Sequence, residues 1–96
     1  MIIYNVTVKV DAAIADAWLQ WMRNEHAPAV VATGCFTHIK IVRLLEVDDA
    51  EGPTYAIQYH ANSMEDYEHY KASFAPQLQQ QGTQIWGDRV IAFRTL

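Results

Sequence analysis

A chain of 96 residues, 51% of them apolar, suits one compact domain that buries about 60 to 65% of its unfolded surface, and it leaves no room for a second. Eleven acidic side chains against seven basic ones give a formal charge of −4, with the cations scattered, which argues against nucleic acid as a partner. No run reaches the roughly 18 apolar residues of a membrane span, no basic leader with a cleavage site opens the chain, and a lone Cys35 fits a reducing compartment, so a soluble cytoplasmic protein is expected.

Residues 2–10, IIYNVTVKV, alternate Tyr4, Val6, Val8 and Val10 with Asn5, Thr7 and Lys9, which is the period of a half-buried strand. Asp11 then offers an N-cap. Ile14, Trp18, Trp21 and Met22 recur at helical spacing, so a first helix is expected from Ala12 to about His26, where Pro28 disfavours a helical Ala27. Gly34 closes the connection. The run CFTHIKIVRLLEV, residues 35–47, predicts a second strand, DDAEGP a polar tip, and TYAIQYHA, residues 54–61, the third strand of a hairpin. Ser63 with Asp66 resembles a capping box and starts a second helix near Met64, which Pro76 should kink or restart. Gly82 and Gly87 mark its exit, and DRVIAFRTL, residues 88–96, predicts the fourth strand.

The order is therefore βαββαβ. HAPAVVATG (residues 26–34) and FAPQLQQQG (74–82) echo one another between a helix and the strand that follows, so the halves read as related βαβ units. Right-handed crossovers then predict a ferredoxin-like α+β domain over residues 1–96, with an antiparallel four-stranded sheet of order 4-1-3-2 and both helices on one face.

Such a sheet leaves its other face to be explained. By alternation Tyr4, Val6, Val8, Tyr55, Ile57, Tyr59, Ile91 and Phe93 face the helices. The open face is expected to carry Ile3, Asn5, Thr7 and Lys9, then Ile39, Ile41, Arg43 and Leu45, then Ala56, Gln58 and His60, and finally Val90, Ala92 and Arg94. The opposite phase of the second strand, with Phe36, His38, Lys40, Val42 and Leu44 on one side, is the alternative for that element. Ile3, Ile39, Ile41, Leu45 and Val90 would form an apolar patch that a homodimer covers. Two facing sheets enclose a space in which Asn5, Thr7, Arg43, Gln58 and Arg94 are the candidate ligand-binding residues. No acid accompanies the two arginines, so an anionic group should reach them, or they lie at the rim and reach water.

The stretches MIIYNVTVKVD, EHAPAVVATGCF, GPTYAIQY and IWGDRVIAFRTL resemble, over nearly the whole chain, a family of short bacterial proteins of unknown function in the dimeric α+β barrel superfamily. The resemblance implies a dimer and a small-molecule site but no particular activity. More distantly the chain is similar to EthD-like and antibiotic-biosynthesis-monooxygenase-like proteins, which adds a cofactor-free monooxygenase or isomerase as an alternative to a binding protein; a purely structural dimer is a third. Asn5 is placed like the asparagine of haem-degrading relatives, yet their late helical histidine has no counterpart in ASFAPQLQQ, so no cofactor is expected.

Two histidines are candidate catalytic groups. His60, on the open-face phase beside Asn5 and Gln58, could act as a general base. His26 could do the same, or it could end the first helix by setting its charge at the negative helix terminus and packing as Phe74 does in the other half. No pair of histidines has metal-ligand spacing. Trp18, Trp21 and Trp86 could wall an aromatic ligand, although Trp18 and Trp21 at i, i+3 are more simply a packing stripe.

Overall fold

The computed structural model describes residues 1–96. Its sheet has the order β2-β3-β1-β4, formed by β1 (Ile2–Val10), β2 (His38–Leu44), β3 (Thr54–Ala61) and β4 (Val90–Thr95), all pairs antiparallel. Between β1 and β2 run α1 (Ala15–Trp21), a π-helical turn (Met22–His26) and α2 (Ala27–Ala32); between β3 and β4 run α3 (Met64–Ser73) and α4 (Ala75–Trp86). This is the ferredoxin-like order read from the sequence. Both predicted caps form: Asp11 accepts from the Ala13 amide at 2.8 Å and Ser63 from the Asp66 amide at 3.2 Å, each satisfying a helix-start N–H that would otherwise lack a partner.

The first helix does not stop at His26. Helical structure continues through Pro28 to Ala32, and the Ala27 amide bonds the Met22 carbonyl five residues back. A proline inside a regular α-helix loses one ladder bond and crowds the carbonyl four residues earlier. Here it follows a widened turn, where the ladder is already interrupted. The second helical segment behaves as expected at Pro76, restarting as α4, but runs past Gly82 to end at Gly87, whose positive φ of 59° is one that glycine adopts without a Cβ penalty.

Tyr4, Val6, Val8 and Val10 are all buried on the helix side, as are Tyr55, Ile57 and Tyr59. Trp18, 2% exposed, is the central helix residue and stacks on Tyr55 with centroids 5.3 Å apart. Truncating such a residue costs about 3 to 5 kcal/mol. Cys35 is buried in the core cluster, and its thiol donates weakly to the Thr33 carbonyl at 3.9 Å; it is a packing residue.

The fourth strand takes the opposite phase to the expected one, and the second takes, over His38–Leu44, the phase given as its alternative. In β2, Ile39, Ile41 and Arg43 pair with Tyr59, Ile57 and Tyr55, so they lie on the helix side, while His38, Lys40 and Val42 share the open face with His60, Gln58 and Ala56. In β4, Val90, Ala92 and Arg94 pair with Val10, Val8 and Val6. Arg94 is thus on the helix side. The larger apolar residues Ile91 and Phe93 point to the open face and are 52% and 64% exposed. The physical reason is space. Both are edge strands, where side-chain size alone does not set the phase, and the helix layer above β4 leaves a hollow that Ala92 borders. Ile3, Val42, Ile91 and Phe93, and not Ile39, Ile41 and Val90, are therefore the exposed apolar residues of the open face, and Leu45 lies beyond the end of β2.

Candidate ligand-binding site

The hollow lies between the sheet and the helices. It has a volume of about 130 Å³, with β1, β3 and β4 as its floor, α1 and the π-helical turn on one side, and α4 on the other. Small residues make the room. Ala92 replaces a bulky strand residue, and a Cβ added to Gly82 on α4 would sit 3.4 Å from Cη2 of Trp21. Trp18, Trp21 and Trp86, all the tryptophans of the chain, line it. Trp21 meets Trp86 edge to face at 5.8 Å, so the two indoles form a corner.

The polar groups in this aromatic cleft come from strands and helices alike. Tyr4, Tyr59 and Tyr70 are pushed up in pKa, Tyr70 to about 12, chiefly by burial and against the pull of Arg94. They stay protonated and can donate hydrogen bonds at neutral pH. Arg94 itself has an exposed side chain at the mouth. None of the 19 lining residues is Asp or Glu, and the chain's one ion pair, Arg43 with Asp49 at 3.7 Å, lies elsewhere. The guanidinium is left without a counter-charge. Trp86 adds an indole N–H that is buried with no partner, a donor that costs free energy until something accepts from it.

His26 enters this cavity because the π-helical turn carries it there. Its ring stacks on Trp21 with centroids 4.7 Å apart and planes 26° from parallel. Burial, and then the charge of Arg94, hold its pKa below the usual histidine value, so the ring is neutral at pH 7. The account of His26 as a charge at a helix terminus fails, since six helical residues follow it.

The residues singled out from sequence fall on two sides of the sheet. Arg94 and His26 share the cavity. Asn5, Thr7, Gln58 and His60 share the open face, where Asn5 donates to the Thr7 hydroxyl at 3.1 Å and Gln58 sits opposite Asn5. His60 stacks on His38 at 4.0 Å; both its ring nitrogens are buried without partners, and loss of water, then the charges of His38 and Lys40, lower its pKa. Arg43 lies at the exposed rim with Asp49. No three His, Cys, Asp or Glu side chains are grouped to hold a metal ion. Tyr4 and Tyr59 were legible in sequence only as core residues, because their alternation along β1 and β3 is the same whether helix or ligand covers them, and nothing in the sequence singled out Tyr70 on α3.

The family model of a domain of unknown function, DUF4286, matches residues 1–96. The chain belongs to the DUF4286 family. This DUF4286 chain is also similar to the crystal structure of an ethyl tert-butyl ether D (EthD) family protein from Bacillus halodurans C-125, with a TM-score of 0.67 and 10% identity over 100% of this chain and 98% of that one. Likeness at such low identity shows the fold alone, an α+β architecture with a four-stranded antiparallel sheet. No curated protein matches the DUF4286 chain significantly. None of its helices is long and apolar enough to cross a membrane.

Proposed function

We propose that this DUF4286 protein binds a small aromatic anion in the cavity between sheet and helices, rather than on the open face. The observation that carries this reading is an aromatic-lined cleft that contains Arg94 and no carboxylate. A cavity of about 130 Å³ is close to the roughly 150 Å³ that holds a benzene ring in an apolar core. The ring fits among Trp21, Trp86 and the floor, and an attached carboxylate or phenolate reaches Arg94 at the mouth, where a charge-assisted hydrogen bond is about twice as strong as a neutral one. Tyrosine hydroxyls and the unpartnered Trp86 N–H add donors and no negative charge.

The open face has a different role in this reading. Ile3, Val42, Ile91 and Phe93 are apolar and exposed there, the kind of patch that association covers, so a homodimer joins two sheets through it. Asn5, Thr7, Gln58 and His60 then lie at or beside the dimer contact.

Since all three tryptophans line the cavity, their fluorescence reports occupancy directly. Titration with benzoate, phenylacetate and phenylpyruvate should give saturable quenching, and phenethylamine, with the opposite charge, should bind at least about 10-fold more weakly. Arg94→Gln should weaken the anions by about 10-fold, or about 1.4 kcal/mol. Equal binding of anion and cation, or an unchanged affinity in Arg94→Gln, would remove the charge argument.

A further inference from the structure

Trp21 and His26 are the two residues that the cavity shares with a second hollow. That outer hollow lies between the π-helical turn with the start of α2 and helix α4, and is lined also by Glu25, Ala29, Gln81, Gln84 and Ile85. The stacked pair is therefore a partition: on one side are the aromatic cavity and Arg94, on the other a more polar depression with one carboxylate. A neutral imidazole in a partition can take a proton from one compartment and release it to the other.

We infer that the cavity carries out proton transfer on the molecule it binds, with His26 as the general base, Arg94 as the group that stabilises the resulting oxyanion, and the Glu25-lined hollow as the proton's way out. The inference rests on the ligand reading above and names its substrate class: an aryl-substituted 2-oxo acid with an acidic C–H beside the carbonyl. The carboxylate and the carbonyl oxygen meet Arg94, and the ring lies among the tryptophans. A nitrogen of His26 takes the proton from the carbon next to the carbonyl. The electron pair of that C–H bond forms the new C=C bond, and the carbonyl π pair moves to oxygen as an enolate facing Arg94. Returning a proton to oxygen gives the enol, and returning it to carbon regenerates the keto acid. Substrate and product have the same formula, and no oxidant, reductant or metal enters.

The surroundings suit a base of this kind. From β4 the charged group facing His26 is Arg94; Tyr4, Tyr59 and Tyr70 come from β1, β3 and α3; Glu25 comes from its own turn; and α4 contributes only uncharged side chains. Arg94 keeps the imidazole unprotonated before reaction, in the same direction as burial does. No acid inside the cavity competes for the proton, and the carboxylate that can receive it is outside.

The test is deuterium exchange into the benzylic position of phenylpyruvate in D2O, followed by proton NMR, with affinity measured separately by tryptophan quenching. Wild-type protein should exchange that position well above the buffer rate, and more slowly as the pH falls through the depressed pKa of His26. His26→Asn should lower exchange by about 100-fold or more with phenylpyruvate affinity kept within about 3-fold, and added imidazole should restore part of the rate. His26→Phe, which preserves an aromatic ring against Trp21, should be equally inactive and guards against a folding defect in the first variant. Binding of phenylpyruvate with exchange no faster than buffer would overturn this inference and leave the binding reading intact. Exchange that survives in both variants would assign the base elsewhere and also overturn it. Absence of binding by phenylpyruvate, benzoate and phenylacetate alike would defeat both readings.

Discussion

The imidazole of His26 lies against the indole of Trp21, with ring centroids 4.7 Å apart and planes 26° from parallel. Eight of the residues that separate β1 from β2 in sequence, Ala15 to Met22, deliver Trp18 to the core and Trp21 to the cavity; the π-helical turn then rotates His26 onto the same side. Because the contact is between two flat rings, His26→Phe should preserve it. We expect a stability change within about 1 kcal/mol by chemical denaturation. A much larger loss would mean that the imidazole nitrogens make a structural hydrogen bond.

The same histidine sets a pH dependence. Its folded-state pKa lies below the ordinary value of 6.5, so above about pH 6.5 it is neutral in both states and contributes nothing to the slope. As the pH falls below that, the unfolded chain takes up the proton first and stability is lost, until the folded pKa is reached. His60 is shifted the same way and acts in the same window. Denaturation midpoints should therefore be flat from pH 7 to 8 and fall between pH 6.5 and 5, with a shallower fall in His26→Phe and a still shallower one when His60→Gln is added.

Gly52 sits at φ 151°, where a Cβ would stand 1.8 Å from the Val10 carbonyl oxygen and 2.7 Å from the Ala12 nitrogen. Both are backbone atoms and cannot move aside, and the Ala12 amide bonds the Glu51 carbonyl at 2.9 Å in the same place. Gly52→Ala should destabilise the protein by more than about 2 kcal/mol. A measured change below 1 kcal/mol would show that the hairpin shifts without cost.

Gly82 offers the contrast. It lies within α4 with ordinary helical backbone, and an added methyl group meets only the edge of the Trp21 ring at 3.4 Å. Gly82→Ala should raise stability by about 0.5 to 1 kcal/mol through helix propensity. Gly82→Leu should fill the cavity and abolish tryptophan quenching by phenylacetate; binding that persists there would place the ligand elsewhere.

Association through the open face should depend on Phe93, 64% exposed in one chain. Sedimentation at micromolar concentration should find a dimer for the wild type and a monomer for Phe93→Asp, since a desolvated carboxylate without a partner costs several kcal/mol. By comparison Arg43→Gln, which removes an exposed pair at 3.7 Å, should change stability by under about 0.5 kcal/mol and leave the dimer alone.

The positions of the strands, both N-caps and the restart at Pro76 could be read from residues 1–96 because each depends on neighbours in the chain, and the sheet order followed from the element order and the right-handedness of the crossovers. Alternation along β1 is a local property, and Asp11 or Ser63 caps an amide two or three residues away. The α+β class follows from the order of such elements. His26 and Arg94 were recognisable as chemically unusual residues for the same reason.

Which of these residues meet was not legible, because it depends on contacts between segments far apart in sequence. Hydrophobicity assigned Ile91 and Phe93 to the core and Arg94 to the open face, yet pairing with Val6, Val8 and Val10 turns Arg94 toward the helices and the two large residues away. A period of two has only two phases, so one register step exchanged every side chain of β4, and likewise of β2. Pro28 gave a local reason for the helix to end, but the widened turn let it continue and brought His26 inward. The cavity exists where Gly82, Ala92 and the two tryptophans of different helices leave a space unfilled. Packing of the helix layer on the sheet creates that space, and no single stretch of chain contains it.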